Sequence, residues 1–237
     1  MVLTHGGPTS RHDNSLSLAI QAYTSRGWAV LDVNYGGSTG YGRRYRERLE
    51  GNWGIVDVAD CEAGVRHLVE MSKVDPTRVA IKGGSAGGYT TLQALTTSEV
   101  FKAGASYYGI GDLALLDADT HKFESRYLER LVSREHFQSR SPVNQIEQLT
   151  CPVIFFQGAE DRVVPPNQAR MMFKALAARG VPTALFIFER EGHGFRDARS
   201  RETAIEAEIV FLSRVFGLEA PGLSQDIFES AEVANLS

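Results

Sequence analysis

Cysteine is scarce in this chain. Only Cys61 and Cys151 occur among its 237 residues, too few for the disulfide framework that supports many small secreted domains. We therefore expect free, buried thiols in a protein that works in a reducing compartment. The first residues also lack the basic and apolar sections of a secretory signal peptide, so the expected location is the cytoplasm.

Long apolar runs and a strong excess of one charge are missing as well. No stretch is long and apolar enough to span a membrane, so we expect no membrane partner. The formal net charge of −4 comes from 25 basic and 29 acidic residues. Residues 217–237 hold four acids and no Lys or Arg, so the remaining chain is neutral. A neutral body argues against a nucleic-acid partner, and the arginines between positions 43 and 48 are interpreted as a solvated helix face.

Short apolar segments alternate with amphipathic ones, a pattern typical of an α/β fold with a mostly parallel sheet and helices on both faces. Six strands are predicted, at residues 2–4, 28–33, 78–82, 103–107, 152–157 and 183–188. Four helices are predicted, at residues 16–26, 56–73, 167–179 and 201–216.

Three further segments complete the predicted organisation. Residues 109–140 are more charged and are predicted to form a helical insertion over the sheet. Residues 1–216 are predicted to form one catalytic domain, and residues 217–237 an acidic, flexible tail. The apolar side chains of Ile227, Phe228 and Val233 suggest the alternative that this tail docks as one short helix.

The most informative motif is Gly-x-Ser-x-Gly at residues 83–87. It follows an apolar β-branched segment and precedes a helix-like segment, which is the order of a nucleophile elbow. The turn strains the backbone of Ser85, and side chains at Gly83 or Gly87 would collide with the neighbouring strand and helix. Taken alone, the motif is equally compatible with a glycine-rich turn that carries an incidental serine.

A serine hydroxyl is a weak nucleophile near neutral pH, so it needs a base and a group that orients the base. On a parallel sheet both should follow later strands, at their carboxyl ends. Asp161 follows the fifth predicted strand and His193 the sixth. Glu160 is the alternative acid. The chain order Ser85, Asp161, His193 is that of the α/β-hydrolases.

The oxyanion formed during acyl transfer needs hydrogen-bond donors. The N–H of Ala86, directly after the serine, is one candidate. The loop His5-Gly6-Gly7-Pro8 follows the first predicted strand and resembles the lipase and esterase loops that supply a second N–H, here that of Gly7. A plain turn is the alternative interpretation. This chemistry needs no metal or organic cofactor, and we expect none.

Together the motifs resemble the catalytic domain of the prolyl oligopeptidase family of serine peptidases. The resemblance covers residues 5–216 and rests on six motifs, at residues 5–8, 34–42, 51–54, 84–89, 161–165 and 192–195. Within the family, the chain looks most like the acylaminoacyl-peptidase and dipeptidyl-aminopeptidase branch. The resemblance implies an α/β-hydrolase fold and a serine peptidase that releases N-terminal acylated residues or dipeptides from short peptides.

Carried over by position, the resemblance makes Ser85 the nucleophile, His193 the base and Asp161 its orienting acid. Tyr41 matches a tyrosine whose hydroxyl lines the oxyanion hole in several members, while other members use the amide at the position of Gly7. Residues 107 and 108 fall where the family builds an apolar pocket for the residue before the scissile bond. Ordinary core packing is the alternative role for these two tyrosines, Tyr107 and Tyr108.

The chain departs from the family pattern in two ways. The family commonly has Arg where this chain has Gly36, so any support from that arginine is expected to be missing. Family members also carry an N-terminal β-propeller and leading strands, whereas this chain starts inside a predicted core strand. We therefore expect an N-terminally truncated hydrolase domain with a propeller as a partner. The alternatives are a carboxylesterase on small acyl esters and an inactive fragment that binds a propeller-bearing subunit.

Overall fold

The computed structural model describes residues 1–119 and 125–236. Its central sheet has seven strands in the order β2-β1-β3-β4-β5-β6-β7. The strands are β1 Val2–Thr4, β2 Leu31–Val33, β3 Ala80–Gly84, β4 Ala103–Tyr107, β5 Val153–Gly158, β6 Thr183–Phe188 and β7 Glu232–Ala234. Neighbouring strands pair in parallel, except that β7 is antiparallel to β6. The predicted mostly parallel sheet is confirmed.

Helices cover both faces of the sheet. They are α1 Leu18–Thr24, α2 Arg43–Glu47, α3 Val56–Glu70, α4 Ala86–Thr97, α5 Leu113–Asp119, α6 Ser125–Leu131, α7 Asn167–Ala178 and α8 Ala198–Phe216. Helices α3, α4 and α7 contribute to one apolar core, and α1 and α8 contribute to the core on the opposite face.

The interior strand β5 shows why a predicted strand can be a continuous apolar run. All six of its residues are buried, and successive side chains point to opposite faces. Val153 and Phe155 pack in the core with α3, α4 and α7, while Ile154 and Phe156 pack in the core with α1 and α8. A strand buried on both faces therefore shows no alternation of polar and apolar residues.

The predicted helical insertion at residues 109–140 contains α5, α6 and a short 3₁₀ helix, Arg134–His136. The part of this prediction at residues 120–124 lies outside the described residues. Leu113, Leu128 and Leu131 from this segment join Trp53 and Tyr89 in a third apolar cluster. This cluster lies next to the start of α4, and it places the insertion beside the predicted nucleophile.

The C-terminal residues differ from the expected flexible tail. Gln225–Ser230 forms a 3₁₀ helix, and β7 pairs with β6 through contacts such as Thr183 with Ala234. The ring of Phe228 lies 5.9 Å from that of Phe186. Apolar side chains and the free edge of β6 thus draw the segment onto the sheet, as a 3₁₀ helix followed by a strand rather than one short helix.

The exposed surface matches one expectation from the composition. Arg43, Arg44 and Arg46 on α2 are exposed, as predicted for a solvated face, and Arg48 lies 3.4 Å from a carboxylate oxygen of Asp60. Among the described residues, none of the helices has both the length and the apolar character needed to cross a bilayer.

Candidate active site

Ser85 stands in a sharp turn between β3 and α4. Its backbone has φ 57° and ψ −123°, a conformation that L-residues rarely adopt and that often occurs at functional sites. The predicted role of the flanking glycines is confirmed. A Cβ at Gly83 would lie 2.1 Å from the Thr4 hydroxyl oxygen, and a Cβ at Gly87 would lie 2.3 Å from the Thr4 carbonyl oxygen. Only glycine allows β1 to approach the turn so closely.

The structure brings Ser85, His193 and Asp161 together. Nε2 of His193 lies 2.8 Å from Oγ of Ser85, and Nδ1 lies 2.8 Å from Oδ2 of Asp161. With Nδ1–H donating to the carboxylate, Nε2 is free to accept the proton of the serine hydroxyl. The arrangement matches a nucleophile, a base and an orienting acid in one hydrogen-bonded chain.

Asp161 is held by groups of its own loop. Its Oδ1 accepts the backbone N–H groups of Val163 and Val164, each at 2.9 Å, and its Oδ2 accepts Nε2–H of Gln157 at 3.3 Å. The side chain is fully buried. The alternative acid, Glu160, is exposed and lines a groove outside the cleft that contains Ser85. Asp161 is therefore the carboxylate that orients His193.

Tyr108 lies in the position expected for the substrate pocket. Its ring is 4.9 Å from the ring of His193, and it lines the cleft beside Ser85. Its φ of 38° is positive, as is that of Ser85, although neither residue is glycine. Burial, followed by the nearby charge of Asp161, raises the pKa of the Tyr108 hydroxyl. Tyr108 thus remains a neutral aromatic wall beside the base.

Tyr107 does not belong to the pocket. It is the last residue of β4, and its ring stacks on Phe156 at 4.5 Å in the core under α8. Its hydroxyl donates to the buried carboxylate of Glu208, which also lies 2.6 Å from Nζ of Lys82. Tyr107 thus points into the core under α8, whereas Tyr108, beyond the end of the strand, lines the cleft. Core packing is the correct interpretation of Tyr107.

The loop that contains Gly7 is fastened to the loop after β2. Nε2 of His5 lies 2.6 Å from Oγ of Ser38, and the hydroxyl of Tyr35 donates to the carbonyl of His5 at 2.7 Å. The His5 and Tyr35 rings stack at 4.2 Å, and burial lowers the pKa of His5. Gly7 has φ 116°, and a Cβ there would lie 2.7 Å from the backbone nitrogen of Ser10. Both Gly7 and Ala86 line the cleft beside Ser85.

Tyr41 is not part of this arrangement. It is 56 % exposed, and its hydroxyl accepts Nδ2–H of Asn34 at 3.0 Å. It packs on Tyr45 and is not among the residues that line the cleft. The motif at residues 34–42 therefore acts through Tyr35 and Ser38, which hold the Gly7 loop, and its tyrosine at 41 lies outside the site.

The loop at Gly36 also has a support that sequence reasoning missed. The N–H of Gly36 donates to Oδ2 of Asp60 at 2.7 Å. A Cβ at Gly36 would lie 2.5 Å from a methyl carbon of Val56 and 3.0 Å from Cζ of Arg48. A guanidinium thus lies beside this loop although position 36 is glycine, because Arg48 reaches it from the end of α2.

A cleft of about 720 Å³ opens in front of Ser85. Its walls are mainly apolar and come from the loop before α3, the segment after β4, α5, α6 and the loop of Asp161. The apolar side chains that line it are Trp53, Ile110, Leu116, Leu128, Leu131, Val163 and Val164. The motifs around Trp53 and Val163 are recognisable in the sequence, but their role in the cleft wall was not predicted. The sequence signals for this role were the glycine next to Trp53 and the position of Val163 two residues after Asp161.

Asp57 anchors the loop that carries Trp53. It is fully buried, its Oδ1 accepts the N–H of Gly54 at 2.7 Å, and its Oδ2 accepts the hydroxyl of Thr90 on α4. Burial raises the pKa of Asp57 to about 6, against the opposing effect of these hydrogen bonds. The cleft wall at Trp53 is thus connected to the helix that follows the nucleophile.

Comparison with known proteins identifies the family. The profile of the prolyl oligopeptidase family matches residues 14–219. The chain belongs to the prolyl oligopeptidase family. Among curated proteins, it is 30% identical to the dipeptidyl aminopeptidase BIII of Pseudoxanthomonas mexicana, over 98% of this chain and 35% of that protein.

Solved structures of family members have the same fold. A puromycin-hydrolyzing peptidase of Mycobacterium tuberculosis matches with a TM-score of 0.92 and 47% identity, over 94% of this chain and 35% of the other. An acylaminoacyl peptidase of Pyrococcus horikoshii matches with a TM-score of 0.86 and 26% identity, over 95% and 39% of the two chains. The predicted α/β-hydrolase fold is confirmed. The chain spans about a third of the length of these relatives.

Proposed function

We propose that this protein is a serine-type peptidase that hydrolyses short peptides through an acyl-enzyme on Ser85. The observation that carries the proposal is the hydrogen-bonded chain from Ser85 through His193 to Asp161 at the mouth of an apolar cleft. Family membership supports the same reaction class, because a dipeptidyl aminopeptidase and an acylaminoacyl peptidase are among the relatives.

In the proposed reaction, Nε2 of His193 takes the proton of the Ser85 hydroxyl as Oγ attacks the peptide carbonyl carbon. The resulting oxyanion accepts the N–H of Ala86, which has no acceptor within α4 because it starts the helix, and the N–H of Gly7. Protonated His193 then gives its proton to the leaving amine. Water, activated by the same histidine, hydrolyses the acyl-enzyme and regenerates Ser85.

The substrates we propose are short peptides from which an N-terminal acylated residue or a dipeptide is released. The aromatic and aliphatic walls of the cleft favour a bulky apolar side chain before the scissile bond. Since the relatives are about three times as long, we propose a β-propeller domain or subunit as the partner that covers the cleft. The two free cysteines favour a reducing, cytoplasmic location.

The test combines active-site labelling with a substrate panel. A fluorophosphonate probe should label the wild-type chain at Ser85 and leave Ser85→Ala unlabelled, with both variants equally folded by circular dichroism. Turnover is then measured on dipeptidyl amides, acyl-aminoacyl amides, puromycin and p-nitrophenyl esters. Ser85→Ala should lose turnover by at least about 10³-fold.

Each alternative gives a different result in this experiment. Turnover of esters without any amide would identify a carboxylesterase and overturn the peptidase assignment. A folded wild-type chain that the probe does not label would identify an inactive fragment. Wild-type turnover in Ser85→Ala would show that another residue is the nucleophile.

A further inference from the structure

Glu191 is a buried carboxylate that the proposed reaction does not use. It lies two residues before His193 and is 4 % exposed. Its Oε2 accepts the N–H of Arg196 and its Oε1 accepts the N–H of Asp197, each at 2.9 Å. The donors lie five and six residues further along the chain. The side chain therefore closes residues 191–197 into a ring that contains His193.

The loop inside this ring also contains Phe195, whose ring lies 4.7 Å from that of Phe188 and 5.4 Å from that of Tyr108. His193 is flanked by Gly192 and Gly194, and Gly194 has φ 104°. Glycine restricts the backbone less than any other residue, and the two glycines share a single β-bridge. Asp161 orients the imidazole through Nδ1, at the side-chain end of His193. Beside the packing of Phe195, the hydrogen bonds of the Glu191 carboxylate join the backbone on the two sides of His193.

The main chain of Glu191 is in turn fixed to the loop of Asp161. The carbonyl of Glu191 accepts the N–H of Glu160 at 2.9 Å. A Cβ at Gly158 would lie 2.4 Å from that same carbonyl oxygen, so the two loops pack backbone against backbone. The main chain of Glu191 is thus held against the loop of Asp161, while its carboxylate binds the segment that leads into α8.

The ionised form of Glu191 suits this contact. Burial opposes ionisation, but the amides of Arg196 and Asp197 and the hydroxyl of Ser200 outweigh it and hold the pKa of Glu191 below its ordinary value. A carboxylate offers an acceptor to each amide, whereas a carboxamide has one oxygen and would turn its NH₂ group toward the second N–H. Replacing the carboxylate by an isosteric amide should open the ring without removing volume.

We propose that Glu191 is a positioning residue that holds the loop of His193 so that Nε2 stays aligned with the Ser85 hydroxyl. The inference rests on the proposed function of the triad. A displacement of about 1 Å at a reacting group lowers rates by about 100-fold. Loss of the Glu191 contact should therefore reduce the rate of acylation and leave substrate binding in the apolar cleft unchanged.

The experiment compares Glu191→Gln with Glu189→Gln in the full chain, because Glu189 is an exposed carboxylate in the same loop. The measurements are kcat and KM on an amide and an ester substrate, the phosphonylation rate of Ser85, and active-site titration with the same probe. For Glu191→Gln we expect kcat and the phosphonylation rate to fall together by about 10- to 100-fold, with KM within about twofold. Glu189→Gln should match the wild type.

Two results would overturn the proposal. In the first, Glu191→Gln has fewer titratable active sites, but each of them is phosphonylated at the wild-type rate. That result would mean that Glu191 contributes to stability alone. The other is a KM that rises while kcat stays constant. If Glu191→Gln does not fold, Ser200→Ala, which removes one donor to the carboxylate, should lower kcat at constant KM, and an unchanged kcat would reject the idea. Failure of the triad itself would appear separately, as activity in Ser85→Ala.

Discussion

Hydrogen bonds position Ser85, His193 and Asp161, whereas apolar packing holds most of the cleft wall in front of them. Asp161 accepts two backbone N–H groups of its own loop. Leu128 and Leu131 of the wall instead pack in an apolar cluster. Directional hydrogen bonds allow one geometry, while apolar packing tolerates changes that conserve volume. Changes at the triad should therefore act on every substrate, and changes at the wall should act on the choice between substrates.

The largest effect should come from Asp161→Asn. The asparagine keeps the shape, but it no longer fixes the tautomer that leaves Nε2 free to accept the serine proton. We expect kcat to fall by about 10³- to 10⁴-fold on bulky and small substrates alike, as measured by steady-state kinetics. Glu160→Gln is the matched control and should keep wild-type kinetics. A loss of kcat on only one substrate class would contradict the idea that the triad acts on every substrate and the wall only on the choice between substrates.

A second prediction concerns Asp57, which fastens the Trp53 side of the wall. Its pKa in the folded chain is about 6, above the ordinary value of 3.8, so the folded state binds the proton more tightly than the unfolded state does. The stability from this group is fully present below about pH 4 and is lost as pH rises through about 6. Asp57→Asn is neutral throughout and should lack this loss.

The measurement is urea unfolding of wild type and Asp57→Asn at several pH values. Between pH 4 and pH 7 the free energy of unfolding of the wild type should fall by about 2–3 kcal/mol relative to that of Asp57→Asn. Glu70→Gln, an exposed site on the same helix, serves as the control and should follow the wild type. Parallel curves for wild type and Asp57→Asn would show that the buried carboxyl does not titrate in this window.

The smallest expected effect is on specificity, through Leu131→Ala at the wall. Leu131 is 3 % exposed and lines the cleft, so its removal enlarges the space for the acyl group. We expect the ratio of kcat/KM between bulky aromatic and small acyl substrates to change by about tenfold. The phosphonylation rate of Ser85 should change by less than about twofold. A large drop in that rate would mean that the wall and the triad are coupled.

The elbow and the order of the triad were predictable because they depend on local signals and one topological rule. Gly-x-Ser-x-Gly after an apolar strand specifies the turn at Ser85 within a few residues. Asp161 and His193 follow later strands, and the carboxyl ends of parallel strands meet at one edge of the sheet. No long-range contact had to be known to bring these three residues together.

The pocket and the contacts of the Gly7 loop were predicted less well. Family resemblance placed both Tyr107 and Tyr108 in the pocket, but Tyr107 at the end of β4 packs in the core under α8, and Tyr108 beyond the strand lines the cleft. It likewise pointed to Tyr41, while Tyr35 and Ser38, in the same motif, are the residues that contact the Gly7 loop. A motif shows which segment is near a site, and the contacts decide which of its residues face the site.

The C-terminal residues illustrate the same limit. Their acidic composition predicted mobility, because charged segments bury little apolar surface. The sheet, however, leaves an edge at β6, and Phe228 packs on Phe186 there. Whether such a segment is ordered depends on a partner surface that lies about 40 residues earlier in the chain and cannot be read from local composition.

For this protein, local sequence determined where most strands lie along the chain, the strained serine and the succession of nucleophile, acid and base, because each depends on neighbouring residues and on strand direction. Tertiary contacts decided which aromatic side chains form the cleft, which loop supports Gly7 and how Glu191 holds the loop of His193. Those outcomes depend on groups far apart in sequence, such as Tyr107 and Glu208, which are 101 positions apart and meet only when α8 packs on the sheet. Side-chain direction and burial are properties of that packing, and they exist only once the chain has folded.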